Sequence, residues 1–155
     1  MEIIEMKENK REFMELLLLA DEQLDMVERY LDRGKMFVLD DEGVKAECVI
    51  TLEDPGVYEI KNIATLPEYQ QRGYGRQLIE FLWEHFGDCQ TMYVGTGESP
   101  KTLGFYRRCG FEISHRVKDF FLQHYQHPIV EEGIQLVDMV YLKRERQVLT
   151  NHSSL

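Results

Sequence analysis

The sequence predicts an α/β fold, a mixed and twisted sheet of about seven strands with helices on both faces. Three observations carry that expectation. Short runs of alternating or continuous apolar residues recur along the chain, separated by Gly, Pro and Asp turns. Helix-period stripes appear in two separate regions. One strand–helix–strand unit interrupts strands whose other connections are short.

Taken in order, Glu2 to Met6 alternates weakly and reads as a short strand. From Glu12 the period turns helical. Phe13, Leu16, Leu17 and Ala20 form one stripe and Leu24, Val27 and Leu31 a second, which gives two short helices with a break near Asp21 and a stop at Gly34. Met36 to Leu39, Val44 to Leu52 and Val57 to Leu66 then read as strands joined by turns at Asp40 to Gly43 and Asp54-Pro55-Gly56. Such short links make the three an antiparallel meander. Ala46, Cys48 and Ile50 share one face of the second. Leu78, Ile79, Leu82 and Phe86 lie on one face of a helix that Gly87 ends. Thr91 to Val94 is the next strand, parallel to Val57–Leu66 through a right-handed crossover. Ser99 and Pro100 suit an N-cap and a first-turn proline, opening a short helix with Leu103, Phe105 and Tyr106 that Gly110 ends. Phe111 to Val117 is a strand, Lys118 to Gly133 an irregular aromatic-rich stretch, and Val137 to Leu142 the last strand. The chain from Arg144 is polar and expected to fray. One domain over residues 1–145 with a polar tail over 146–155 follows.

Composition narrows the function. The chain has 155 residues, with 18 Lys and Arg against 28 Asp and Glu, for a net charge of −10. A field of that sign repels polyphosphate, which argues against nucleic-acid binding and favours cationic small molecules. The apolar runs fall far short of the ~20 residues that span a bilayer, so no membrane association is expected. Cys48, Cys89 and Cys109 have no C-x-x-C spacing, which removes the usual zinc and disulfide frameworks and suits a reducing cytoplasm. The histidines have no metal-like partner pattern, and no metal is expected.

The chemistry-bearing stretch is Gln70-Gln71-Arg72-Gly73-Tyr74-Gly75-Arg76, between a strand and an amphipathic helix. A helix start offers unpaired N–H groups and the positive end of the dipole. Glycines there let the backbone approach a phosphate, and Arg72 and Arg76 add charge, so the stretch reads as a pyrophosphate cradle. It is neither a P-loop, because Arg76-Gln77 replaces Lys-Ser/Thr, nor a dinucleotide fingerprint, because Leu78 stands where the third glycine belongs. A glycine turn that merely starts a helix is the structural alternative.

Asn62-Ile63-Ala64-Thr65-Leu66-Pro67, followed by that loop, resembles the acetyl-CoA signature of the GNAT N-acetyltransferases. Ser99 to Phe111, with Phe105-Tyr106 and Cys109-Gly110-Phe111, resembles the second motif of the family. The run Asp119-Phe120-Phe121, His124-Tyr125, Pro128-Ile129, Gly133-Ile134-Gln135 and Asp138-Met139 is similar to that of small bacterial members. The resemblance implies a sheet splayed at its middle and acetyl-CoA as cosubstrate. It implies that Ile63, Ala64 and Thr65 bond the pantetheine arm, that amides from Gln70 to Arg76 hold the pyrophosphate, and that Ser99, Leu103 and Tyr106 line the cofactor. Ser99 departs from the Asn common there. Similar proteins often dimerise.

Acetyl transfer needs a neutral amine and a proton for the departing thiolate. Tyr106 matches the usual Tyr acid of the family; otherwise it is a core aromatic. Glu59 stands where some members place a catalytic Glu, and is the candidate base; otherwise it pairs with Lys61. Phe120, Phe121, His124 and Tyr125, with Asp119, Glu131 and Glu132, are candidates for an aromatic and acidic acceptor site. The expected function is acetyl transfer from acetyl-CoA to a primary amine by direct attack in a ternary complex, the acceptor a small amine metabolite. The alternatives are a protein or peptide amine as acceptor and a non-catalytic acyl-CoA-binding module.

Overall fold

The structure, a computed structural model, describes residues 1–147. The strands are β1 (Glu2–Met6), β2 (Lys35–Asp40), β3 (Val44–Asp54), β4 (Val57–Thr65), β5 (Thr91–Gly97), β6 (Glu112–Val117), β7 (Val130–Glu131), β8 (Ile134–Gln135) and β9 (Met139–Glu145). The α-helices are α1 (Met14–Ala20), α2 (Leu24–Glu28), α3 (Tyr74–His85), α4 (Pro100–Arg108) and α5 (Phe120–His124). Seven strands form one sheet in the order β1-β2-β3-β4-β5-β9-β6, and β7 and β8 form a separate hairpin. Among the described residues only β4 and β5 run parallel, joined by the α3 crossover as the pattern required.

Two apolar layers hold the sheet. On one face Phe37, Leu39, Cys48, Ile50, Tyr58 and Ile60 pack against Leu78, Ile79 and Leu82 of α3 and Leu103 and Tyr106 of α4. On the other, Met36, Val38 and Val49 pack against Leu17 of α1 and Val27, Tyr30 and Leu31. Helices therefore cover both faces, as the two separate helix-period stripes predicted.

Two expectations need correction. The stretch from Lys118 to Gly133 is not wholly irregular, since it contains α5 and the β7 strand. Nor is the chain frayed at Arg144. The guanidinium groups of Arg144 and Arg146 both lie over the Trp83 ring, at 4.5 and 4.1 Å. Arg144 donates to Glu80 and to the Cys109 carbonyl, and Arg146 to the Cys89 and Trp83 carbonyls. A polar segment is ordered here by partners distant in sequence, which hydropathy does not register. The rest of the expected tail, from residue 148, lies outside the described residues.

The feature that shapes the site is a bulge in β4. Val49 of β3 pairs with Asn62 and Ile50 with Ile60, so Lys61 is an extra residue. Before it, Tyr58 and Ile60 face α3; beyond it, Ile63 takes that side and Asn62 turns to α1. Parallel pairing to β5 stops at Ile60 and Val94. Past that point β4 stays with β3 as far as Thr65, and β5 stays with β9 as far as Gly97. The two strands diverge, and the sheet is splayed.

Asn62 locks the bulge to the helical layer. Its amide donates to the Leu17 carbonyl at 2.9 Å and to the Tyr30 hydroxyl at 3.0 Å. Replacing Asn62 by Ala leaves both buried acceptors short of a donor. The expected loss is about 1–3 kcal/mol, read as a lower urea midpoint.

Candidate functional site

The glycine turn and α3 form one side of the splay. Gln71 and Gly73 both adopt left-handed backbone, at φ 65° and 86°, and the chain enters α3 at Tyr74. The first helical bond runs from the Gln77 amide to the Gly73 carbonyl, which leaves the amides of Tyr74, Gly75 and Arg76 without intrahelical acceptors. The side chains are mostly engaged elsewhere. Gln70 donates to the Thr65 carbonyl, Tyr74 donates to Asp41 at 2.7 Å, and the Arg72 guanidinium lies over the Tyr69 ring. The donors the turn leaves unengaged are chiefly backbone N–H groups.

The two glycines have different surroundings. A Cβ on Gly73 would meet nothing within 4 Å, so glycine is needed there for its backbone angle. A Cβ on Gly75 would lie 3.1 Å from Cζ of Phe105, so glycine there lets α3 and α4 pack closely.

Across the splay, α4 carries Ser99, Leu103 and Tyr106. Ser99 occupies the N-cap position with Pro100 after it, but its side chain makes no capping hydrogen bond. Its Oγ is buried without a partner. Leu103 and Tyr106 are buried in the α3 layer, and Tyr106 packs edge-on against Phe105 and Phe111. Burial raises the Tyr106 pKa well above the ordinary ~10 for a phenol, and the charges of Cys109, Glu131 and Glu47 add to the effect. The hydroxyl stays protonated at any working pH.

The opposite face of the splay is acidic and aromatic. Phe120 and Phe121 of α5 pack with His124 and Tyr125. Gln23 ties this segment down, donating to the His124 carbonyl and accepting from the Gln126 amide. Tyr125 donates to Asp21 at 2.8 Å, and Tyr30 donates to the other oxygen of Asp21. Tyr125 and the His124 carbonyl therefore meet the break between α1 and α2, which the sequence placed but gave no role. Burial raises the Asp21 pKa against the pull of its hydroxyl donors. Burial raises that of Glu131 as well, helped by Glu22 and Glu132.

Glu59 lies before the bulge, opposite Thr51 and Tyr93. It pairs with Lys61 at 2.8 Å, the structural alternative foreseen for it. A second carboxylate escaped the sequence reading. Glu47 is fully buried in β3, opposite Ala64, and both its oxygens lack a partner. The available signal was a glutamate between Ala46 and Cys48 in a strand otherwise apolar at its centre.

Residues 32–113 match the acetyltransferase (GNAT) domain family. An uncharacterised N-acetyltransferase of Bacillus subtilis, YvbK, is 39% identical over 140 residues, which cover 88% of this chain and 90% of that protein. This chain belongs to the GNAT acetyltransferases. The crystal structure of a Bacillus subtilis acetyltransferase in complex with CoA aligns with a TM-score of 0.85 at 36% identity, covering 94% of this chain and 98% of that one. A GNAT family acetyltransferase from Elizabethkingia anophelis with acetyl-CoA bound aligns at 0.87 and 30%, covering 94% and 97%. Acetyl-CoA is accordingly the cosubstrate of this GNAT enzyme.

The left-handed angle at Gly73 gives the GNAT turn a testable constraint. Gly73→Ala strains the turn by about 1–2 kcal/mol. CoA affinity, read by calorimetry, is expected to fall by roughly tenfold, the equivalent of 1.4 kcal/mol.

Proposed function

We propose that this enzyme acetylates the primary amine of a small cationic metabolite, by direct attack within a ternary complex. The observation that carries the choice of acceptor is the acidic lining of the face opposite α3. Glu131 lies exposed near Glu22 and Glu132, Glu132 pairs with Lys101 at 3.6 Å, and Asp21 accepts from two phenols. Carboxylates such as Glu131 and Asp21, with no ion pair among the described residues, attract a cation. Phe120, Phe121, His124 and Tyr125 supply the aromatic wall against which the body of an amine rests.

In this reading the cofactor enters from the α3 and α4 side. Backbone groups of β4 at Ile63, Ala64 and Thr65, past the end of pairing to β5, bond the pantetheine arm as an added strand would, with the Thr65 carbonyl already accepting from Gln70. The amides from Gln71 to Arg76 hold the pyrophosphate, with Gln70 fixing the loop and Arg76 adding charge. Ser99 and Leu103 border the arm along α4. Ser99 has a buried hydroxyl free to donate, so it can contact the arm where Asn is common.

The chemistry then runs as follows. The acceptor ammonium loses a proton to a carboxylate, and its nitrogen attacks the thioester carbonyl. The C–S bond breaks as the amide forms. Tyr106 is the acid of this reading: burial raises its pKa and keeps it a hydroxyl donor but weakens it as an acid, so its proton passes to the thiolate only as the positive charge gained by the attacking nitrogen offsets that shift. Glu59 has the position for the base but is neutralised by Lys61. A cytoplasmic setting is supported by three free, buried thiols.

A screen of spermidine and other amines against peptides, with release of free CoA as the readout, tests the acceptor class. Amines are expected to be turned over with the higher kcat/KM; preference for a peptide overturns the small-molecule reading. Tyr106→Phe should lower kcat by roughly 10²-fold or more with CoA affinity unchanged, and undiminished turnover removes Tyr106 as the acid.

A further inference from the structure

Glu47 is the anomaly of this protein. It stands in the middle of β3, between Val38 of β2 and Ala64 of β4. Its face of the sheet carries Met36, Val38 and Val49 under the Leu17, Val27 and Leu31 side chains. Both carboxylate oxygens are buried and neither finds a partner. Among the described residues no basic side chain reaches it: Lys61 is taken by Glu59, and Lys45 lies over the Tyr69 ring and donates to the Glu42 carbonyl. Buried carboxylates are almost always paired, because an apolar site stabilises their charge so poorly. One left unpaired marks a position kept for a group that arrives later.

The position is informative. Ala64 is a residue of the splayed stretch of β4, and its methyl is all that its side chain places beside Glu47. Glu47 thus shares the α1 face with Asn62 and stands opposite Ala64, one of the β4 residues beyond the end of pairing to β5. Glu59 lies on the far side of the bulge.

We infer that Glu47 receives the ammonium group of the acceptor and takes its proton. The inference rests on the acceptor being a primary amine. The N–H bond of the ammonium breaks and its proton passes to the carboxylate. The freed lone pair forms the N–C bond, the C–S bond breaks, and the sulfur takes the Tyr106 proton. The protonated amide nitrogen returns a proton to the Tyr106 phenolate, and Glu47 releases its own to solvent. Burial and the lack of a partner lift the Glu47 pKa, with the Ala64 amide offsetting a little of the effect. The groups facing it are Tyr30 and, through Tyr30, Asp21 from the helical layer; Tyr106 from α4; Cys48 beside it; and Glu131, which acts on the same phenol. None carries positive charge. An arriving ammonium thus supplies the only nearby cation and lowers that pKa as it binds.

The test pairs acetyl-CoA with n-butylamine, 1,3-diaminopropane, spermidine and 2-phenylethylamine. If the wild-type enzyme acetylates none of them, the amine reading falls, whatever Glu47 does. With the best of them, Glu47→Gln is expected to lower kcat/KM by roughly 10²-fold or more and to erase the acidic limb of its pH profile, with CoA affinity intact. Wild-type kcat/KM in that variant, or loss of the acidic limb in Glu59→Gln instead, overturns the proposal. A purely structural role predicts a different signature. The folded state holds the Glu47 proton more tightly than the unfolded chain does, so stability is lost as pH rises above the ordinary carboxyl range. Glu47→Gln avoids that loss, and its thermal midpoint is expected to exceed that of the wild type increasingly from pH 5 to pH 8. Should the variant fail to fold, a carbon-13 titration of the Glu47 carboxyl in CoA-loaded wild type decides the matter. Adding 1,3-diaminopropane is expected to lower its pKa; an unchanged value overturns the proposal.

Discussion

One extra residue in β4 governs everything downstream. Lys61 has no partner of its own between the Ile50–Ile60 and Val49–Asn62 pairs. A single inserted residue in a strand exchanges the faces of every side chain beyond it, because the side-chain period is two. Ile63 therefore joins the α3 layer, and Asn62 and Ala64 turn toward α1 and Glu47. The same insertion coincides with the end of pairing to β5 at Ile60. An opening in the middle of a sheet leaves backbone groups that the next strand would otherwise bond.

The charges around that opening are divided by function. Donors lie on the α3 side, where the amides of Tyr74, Gly75 and Arg76 are free. Acceptors lie on the other, as Asp21, Glu47 and Glu131. Under the function proposed above, an anionic carrier and a cationic acceptor would be drawn to opposite faces of the same gap, with the net negative charge of the molecule reinforcing the second attraction. The arrangement costs stability. A buried, unpaired carboxyl and a left-handed Gln71 are both unfavourable in isolation. The helices packed on each face supply the apolar burial that offsets them.

Much of this was legible in the residues alone. The strands alternate, the helices repeat near every third or fourth residue, and the turns carry Gly, Pro and Asp, so element type and order followed from local periodicity. The glycine turn before α3 was legible too, since few sequences place two glycines and two arginines at a helix start. Three things were not. The ordering of Arg144 and Arg146 depends on Trp83, some sixty residues away, and polar side chains bonded to carbonyls leave no hydropathic trace. The separate duties of Gly73 and Gly75 appear only when the neighbouring Phe105 is in place. Glu59 and Glu47 look alike as letters; one has a lysine two residues on, and the other has no cation in contact.

The sequence by itself determined the fold class, the family and the location of the glycine turn at the start of α3, because each rests on short-range periodicity and on motifs contiguous in the chain. Tertiary structure decided which carboxylate is paired and which is bare, which face each β4 side chain takes, and that α5 joins the α1–α2 break at Asp21. Those depend on contacts between residues as much as a hundred positions apart, such as Tyr125 with Asp21. Charge and burial are properties of a neighbourhood, and only the folded chain assembles one.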